Sequence, residues 1–302
     1  MAGLAVRVAG LTLRHPVMNA SGILGSHPEG VKLLVDAGVS AVVTKSFTVE
    51  PREGYPTPIA VPLPYGLLNA VGLSNPGIDG ISVVVEEARR AGLPVVVSIA
   101  GSSEDEFSRL ASAAEEAGAD AIEVNLSCPH AKGMGREIGI EPRLVYSVVS
   151  ATASVTRIPV IAKLGYVDRL VEAVGKALEA GARAVTLINT LPAMMIDVYA
   201  MKPVLGNLVG GLSGPAIHPV AVRAIYEVYR EYRIDIIGAG GVEDWRTAAE
   251  LVLAGARAVQ VGTALVTRGL RVIGEIVQGL ERYMEEVGVE SIEELVGAAH
   301  RD

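Results

Sequence analysis

Four polar side chains lie at the ends of apolar runs, where a buried polar group costs several kcal/mol unless it finds a partner. Lys45 ends AVVTK, Asn125 lies near the end of AIEVNL, Lys163 interrupts PVIAKL, and Asn189 ends AVTLIN. The chain has only six Asn and six Lys. Their concentration at strand ends predicts one shared polar site rather than separate strand caps.

The lysines of such a site admit two chemistries. A Schiff base requires a lysine that is desolvated enough to be neutral, whereas a permanent cation would stabilise an anionic cofactor or substrate. Gly240-Gly241 and Gly262-Thr263 follow later apolar runs, and glycine lets backbone N–H groups approach a phosphate closely. This signal favours the cation but leaves the Schiff base open.

Cys128 is the only cysteine and lies in NLSCPH. A lone cysteine is more often a small buried hydrophobe, but its polar neighbours and the glycines up to Gly139 predict a polar loop able to act as a lid. A free thiol has a pKa of about 8.5, so a reaction that uses the thiolate should accelerate as the pH rises. One cysteine excludes an intramolecular disulfide and an iron–sulfur cluster held by this chain alone.

The elements that must position these residues are eight apolar runs of strand length. Most are continuous Val, Ile, Ala and Leu, which is typical of parallel strands covered by helices. The runs are Val17–Ala20, Ala41–Lys45, Val95–Ile99, Ala121–Leu126, Pro159–Leu164, Ala184–Asn189, Asp235–Gly238 and Ala258–Gly262.

Helical stretches such as Glu104–Ala117, Asp168–Ala180 and Trp245–Ala254 separate the runs, and an Ala-Gly pair recurs shortly before several of them. Glycine there suits a left-handed helix cap. We predict an α/β fold, a (βα)8 TIM barrel forming a single domain over residues 1–302. A doubly wound open sheet is the alternative, but it predicts a GxGxxG turn after an early strand, and none is present.

Three connections are much longer than the usual 2–6 residues. In a barrel they would all emerge at the C-terminal face, where active sites are built, and we expect them to cover a substrate. They run from Ser46 to about Gly80, from Ser127 to about Glu141 and from Thr190 to about Ala216.

Composition narrows the function classes. A net charge of −8 argues against nucleic-acid binding, and no stretch approaches the roughly 20 apolar residues of a membrane span, so we expect a cytoplasmic protein. The histidines show no metal-ligand spacing, and we expect no metal. The scarcity of Asn and Gln suits a thermophilic source.

At this point the sequence closely resembles the class 1 dihydroorotate dehydrogenases, most of all their NAD-linked 1B branch. The matching segments occur in order over nearly the whole chain, and only together are they specific. They are MNASG (18–22), VTKSFTVEPREGYPTP (43–58), LLNAVGLSNPG (67–77), NLSCP (125–129), AKLG (162–165), LINT (187–190), GGLSGPAI (210–217), GAGG (238–241) and AVQVGTA (258–264).

The resemblance implies an enzyme of pyrimidine (UMP) biosynthesis that oxidises dihydroorotate to orotate. Cys128 would remove the C5 proton, and FMN would accept hydride from C6. The implied substrate-binding residues are Lys45, Asn69, Ala70, Val71, Gly72, Leu73, Asn125, Asn189 and Thr190. The implied FMN-binding residues are Ala20, Ser21, Lys45, Ser46, Asn125, Lys163, Ile188, Gly214, Gly240, Gly241, Gly262 and Thr263.

The resemblance also implies partners. We expect a homodimer, and in the 1B branch a heterotetramer with a subunit that carries FAD and a [2Fe–2S] cluster and passes electrons to NAD. The sequence alone leaves the electron acceptor and the oligomeric state open. Two positions depart from the family pattern, because His130 and Ser98 stand where Asn is usual. We expect His130 to contact the substrate and, when protonated, to favour the thiolate.

Three rival interpretations stay open. The first is another FMN barrel that acts on a pyrimidine, such as the barrel of dihydropyrimidine dehydrogenase. The second is a flavin-free Schiff-base lyase that uses Lys163 or Lys45. The third is a barrel that serves only as a subunit scaffold.

Overall fold

The structure is a computed structural model that describes residues 3–127 and 136–301. The strands in these ranges are β1 (Val6–Val8), β2 (Leu11–Leu13), β3 (Val17–Asn19), β4 (Val42–Val43), β5 (Ala60–Leu63), β6 (Gly66–Asn69), β7 (Val95–Ile99), β8 (Ala121–Asn125), β9 (Val160–Leu164), β10 (Ala184–Leu187), β11 (Leu191–Ala193), β12 (Ile196–Asp197), β13 (Lys202–Pro203), β14 (Gly210–Ser213), β15 (Ile236–Ala239) and β16 (Ala258–Val261).

The helices in the same ranges are α1 (Pro28–Ala37), α2 (Gly80–Arg90), α3 (Glu104–Glu116), α4 (Arg136–Ile140), α5 (Pro142–Ser154), α6 (Leu170–Glu179), α7 (His218–Tyr232), α8 (Trp245–Ala254), α9 (Thr263–Thr267) and α10 (Val272–Val287). Short 3-10 turns follow at Pro215–Ile217, Ile292–Leu295 and Ala298–His300.

Eight parallel strands form the central sheet, in the order β3-β16-β15-β10-β9-β8-β7-β4. Their residues are buried on both faces, as in β8, where all five are buried. The continuous apolar runs predicted this arrangement, because a parallel strand lies between the barrel interior and the surrounding helices. The predicted TIM barrel is confirmed.

Asn19 joins the two end strands of this sheet. Its Nδ2 donates to the Val43 carbonyl at 2.7 Å, and its Oδ1 accepts from the Val43 N–H at 2.9 Å. The side chain is fully buried, so this amide replaces a backbone ladder between β3 and β4. Asn19 ends an apolar run as Asn125 and Asn189 do, and the sequence alone would place it in the same polar site. Both ends of its amide are instead used to close the barrel.

Helices cover the outside of the barrel with one apolar face each. In α3, the buried residues Phe107, Leu110, Ala111 and Ala114 recur at helical spacing. Four of the Ala-Gly pairs that precede strands have their glycines at 38, 118, 181 and 255, and all four glycines have positive φ, between 84° and 130°. None of the helices in the described ranges combines the length and apolar character that crossing a bilayer requires.

The β1–β2 hairpin lies against the N-terminal ends of the barrel strands. The Ala9 N–H at its turn donates to Asp235 Oδ2 at 2.8 Å, and Asp235 directly precedes β15. The sequence pattern did not predict this hairpin. Its residues Val8 and Leu13 are fully buried in the hydrophobic core.

His15, just before β3, is satisfied only as a neutral ring. Its Nε2 lies 2.9 Å from the Gly38 carbonyl, and its Nδ1 accepts from the Val17 N–H at 3.3 Å. Burial lowers the pKa of His15 from 6.5 to about 4, although the hydrogen bond to Gly38 opposes this shift. A second ring proton would leave the Val17 N–H without its acceptor.

We therefore expect His15 to make the fold sensitive to acid. Below pH 6.5 the unfolded chain binds a proton that the folded ring resists, so this contribution to stability is complete above pH 6.5 and is lost as the pH falls towards about 4. Urea unfolding across this range should show the stability difference between wild type and His15→Gln shrinking with falling pH. Parallel curves for the two proteins would contradict the assignment.

Two of the three long connections form a second sheet above the barrel. Its strand order is β11-β14-β6-β5, all antiparallel, and β12 and β13 form a separate hairpin. The third connection includes residues 128–135, outside the described part. Its far end is helical, because Gly139 lies buried in α4, so the predicted glycine-rich loop ends before Gly139.

Candidate active site

A cavity of about 330 Å³ lies at the C-terminal ends of the barrel strands, bounded on its upper side by the second sheet. It brings together, from distant parts of the chain, nearly all of the described residues predicted to bind substrate or cofactor. They are Ala20, Ser21, Lys45, Ser46, Asn69, Val71, Gly72, Leu73, Asn125, Lys163, Ile188, Asn189, Thr190, Gly214, Gly240, Gly241, Gly262 and Thr263.

Two predicted residues are not in this set. Ala70 is only 1% exposed and packs with Leu68 and Leu205, because successive side chains of a strand and its extension face opposite sides. The Ala70 side chain therefore faces away from the cavity, and its contact with the substrate stays a prediction. The other residue, Cys128, lies outside the described residues, as does His130.

The floor of the cavity contains a buried ion pair. Lys163 Nζ lies 3.2 Å from Glu123 Oε1 and donates to Gln260 Oε1 at 2.8 Å. Glu123 is fully buried, and its Oε2 accepts from Thr186 Oγ1 at 3.0 Å and from Gln260 Nε2 at 2.7 Å. Each charged group thus has hydrogen-bonding partners besides the opposite charge, which a buried pair needs to persist.

This arrangement favours the cation over the Schiff base for Lys163. A Schiff-base lysine must be neutral to attack a carbonyl, whereas a carboxylate 3.2 Å from the lysine nitrogen attracts the charged form. Glu123, Thr186 and Gln260 were missed in the sequence. The signal was present, because each is a polar residue in the middle of an apolar strand.

One wall of the mouth is a continuous chain of hydrogen bonds. Ser46 Oγ lies 2.9 Å from Ser98 Oγ and accepts from Asn125 Nδ2 at 3.0 Å. Asn125 Oδ1 accepts from the Ser127 N–H at 3.2 Å, and Asn189 Nδ2 donates to Ser127 Oγ at 2.8 Å. These contacts fix the orientation of both amides and use only part of their capacity, because an amide has two donor hydrogens and two lone pairs.

Ser98 has a place in this wall although it departs from the family pattern. It is fully buried, and its N–H donates to Thr44 Oγ1 at 2.9 Å. The serine supports Ser46 from below rather than lining the cavity.

The opposite wall consists of glycine turns. Gly214, Gly240 and Gly241 have φ values of +92°, +123° and +70°, a region that glycine adopts without the cost other residues incur. Beside them Thr263 Oγ1 donates to Ser213 Oγ at 2.8 Å. The backbone therefore borders this side of the cavity without intervening side chains, as an anion-binding turn requires.

Comparison with known proteins gives consistent matches. The family model described as dihydroorotate dehydrogenase matches residues 3–284. An Aeropyrum pernix protein provisionally named dihydroorotate dehydrogenase A (fumarate) is 56% identical over 299 residues, covering 99% of this chain and 98% of its own. The dihydroorotate dehydrogenase B (NAD(+)) catalytic subunit of Thermococcus kodakarensis is 49% identical over 300 residues, covering 99% of each.

A solved structure also matches. The crystal structure of DHODH from Eimeria tenella in complex with ferulenol superposes with a TM-score of 0.87 at 22% identity, covering 99% of this chain and 89% of that one. At this identity the likeness establishes a shared fold.

Proposed function

This chain belongs to the dihydroorotate dehydrogenase family, and from that premise we propose that it oxidises dihydroorotate to orotate in pyrimidine biosynthesis with a bound FMN. The observation that carries the proposal is the cavity itself, which joins a lysine paired with a buried carboxylate, a wall of oriented amides and glycine turns. FMN, when bound, supplies the acceptor for the hydride that leaves the substrate.

The residues present fit FMN. A volume of about 330 Å³ falls within the range of cofactor sites. Gly240, Gly241 and Gly262 offer backbone to a phosphate, while Ala20 and Ile188 offer apolar contact to a ring. Lys163 would hold positive charge beside the ring, where reduction adds negative charge.

The substrate would bind against the amide wall. A dihydropyrimidine carries both carbonyl and N–H groups, and side-chain amides can donate and accept at once. Asn125 and Asn189 are already oriented by Ser46 and Ser127, so little ordering is left to do on binding. Lys45, which also lines the cavity, would pair with the substrate carboxylate.

Cys128 would remove the C5 proton. Ser127, the residue before it, is 4% exposed and is hydrogen-bonded to the side-chain amides of Asn125 and Asn189. The residue that precedes Cys128 therefore lies against the two asparagines proposed to hold the substrate, which supports this role.

The proposal also concerns the molecule that takes electrons from the reduced flavin. The Thermococcus relative is named as an NAD(+) enzyme's catalytic subunit, which favours a partner subunit with FAD and a [2Fe–2S] cluster, and a homodimer of this chain at its centre. The name of the Aeropyrum relative favours fumarate instead. If fumarate reoxidises the reduced flavin of this protein without another protein present, fumarate is supported as the acceptor. A cytoplasmic location stays a prediction.

Absorbance of the purified protein tests the proposal. We expect flavin bands that bleach when dihydroorotate is added anaerobically, no bleaching with dihydrouracil, and a spectral shift with orotate. A colourless protein that borohydride traps with a carbonyl compound would instead favour a Schiff-base lyase. Bleaching by dihydrouracil alone would favour another pyrimidine-acting flavoenzyme.

A further inference from the structure

His218 lies behind the glycine turn, outside the cavity lining. It is the first residue of α7, is only 7% exposed, and its Nδ1 lies 2.8 Å from the Gly240 carbonyl oxygen. A carbonyl can only accept, so Nδ1 carries the hydrogen and donates it.

This contact determines which way the next peptide group faces. In a trans peptide the C=O of Gly240 and the N–H of Gly241 point in opposite directions. With the carbonyl held by His218, the Gly241 N–H points away from the imidazole, and Gly241 lines the cavity. Within the described residues this N–H has no hydrogen-bond acceptor, so it is available to an anion.

Packing keeps the turn in this state. A Cβ on Gly241 would come within 2.6 Å of the His218 Cβ and 2.8 Å of the Gly214 carbonyl oxygen. The turn therefore rests directly on His218 and on the strand-to-turn connection at Gly214. It cannot shift towards the helix without a collision.

The far side of the ring faces a carboxylate. His218 Nε2 lies 3.3 Å from Glu250 Oε2 but is not aligned for a hydrogen bond, and it is otherwise unpartnered. Glu250 is 56% exposed, so it can adjust to the ring.

We infer that His218 is a positioning residue that makes the flavin site selective for a phosphate-bearing flavin, with Glu250 as its outer partner. The inference rests on the proposed function, since it takes the Gly240–Gly241 turn as the phosphate site. It adds the residue that holds the turn's N–H group towards the phosphate.

The test compares FMN with riboflavin, which lacks the phosphate. The full-length chain is stripped of flavin, and binding of each flavin is followed by quenching of its fluorescence. His218→Phe keeps a ring but removes the donor, and we expect FMN affinity to fall about tenfold, the effect of one lost hydrogen bond, with riboflavin affinity unchanged. His218→Asn, whose amide can reach the same carbonyl, should retain most of the FMN affinity.

Equal losses for both flavins, or no loss for either, would overturn the inference, since a purely structural role does not distinguish them. If His218→Phe does not fold, His218→Asn and Glu250→Gln still decide. We expect about a twofold, FMN-only loss for Glu250→Gln, and a loss shared by riboflavin would count against the role. A wild-type chain that binds FMN no better than riboflavin would contradict the proposed phosphate site itself, which is a separate result.

Discussion

Replacing Cys128 with alanine is expected to lower kcat for dihydroorotate oxidation by about 10²–10⁴-fold, the usual contribution of a positioned general base. The side-chain amides of Asn125 and Asn189 are oriented by hydrogen bonds to Ser46 and Ser127. Orotate affinity should therefore change little. Anaerobic stopped-flow measurement of flavin bleaching gives the rate, and a titration with orotate gives the affinity.

Cys128→Ser is the matched control, because a hydroxyl in the same place can still accept a proton weakly. We expect its rate to lie between those of wild type and the alanine variant. Bleaching of the alanine variant at the wild-type rate would remove Cys128 from the mechanism and favour a barrel whose base lies elsewhere. If the wild-type protein itself did not oxidise dihydroorotate, the result would instead favour a barrel that serves only as a subunit scaffold.

The barrel could be predicted because each of its strands is recognisable from a short stretch of apolar residues. Ala121–Asn125 and Val160–Leu164 are mainly apolar runs, each interrupted by one charged residue, and the predicted ends lie within one or two residues of the observed ones. The second sheet could not be predicted in the same way. Its strands are short and contain Pro and Gly, as in Leu191–Ala193 and Gly210–Ser213, and Gly211 pairs with Asn69 from a distant segment.

The residues of the candidate site likewise divide into those that could be predicted from the sequence and those that could not. Strand-end residues such as Asn125 and Lys163 were found because a polar side chain ends or interrupts an apolar run. Asn19 has the same sequence signature, yet it closes the barrel. Sequence identifies a buried amide but not its partner, because the partner belongs to another strand. His218 gave no signal at all, since its role depends on a carbonyl that α7 meets only in the folded chain.

Glu123 is where we expect the largest effect on stability. Removing one member of a buried ion pair leaves the other charge uncompensated, which typically costs about 3–5 kcal/mol. Glu123→Gln keeps the shape of the side chain and an acceptor for Thr186, but it leaves Lys163 without its carboxylate. Urea unfolding of the flavin-free chain should show this loss, and the absence of flavin keeps ligand binding from contributing.

Two companion variants separate the ion pair from general packing. Thr186→Val removes only one hydrogen bond to the carboxylate and should cost about 1 kcal/mol. The double variant Glu123→Leu/Lys163→Met replaces both charges, and such replacements often restore or exceed the original stability. We expect it to regain most of the unfolding free energy lost in Glu123→Gln. A double variant less stable than Glu123→Gln would contradict the pairing as the source of the cost.

The double variant also asks why a barrel keeps this pair in its interior. Aliphatic side chains fill the barrel floor at less cost than two charges, so stability alone does not account for Lys163 and Glu123. If the pair exists to hold a cation beneath the flavin, the double variant will be stable yet will bind reduced FMN much more weakly relative to oxidised FMN than wild type does. The ratio of the two affinities measures this directly, because its logarithm is proportional to the shift in reduction potential that binding causes. An unchanged ratio would mean that the cation at Lys163 does not act on the flavin, whatever the substrate proves to be.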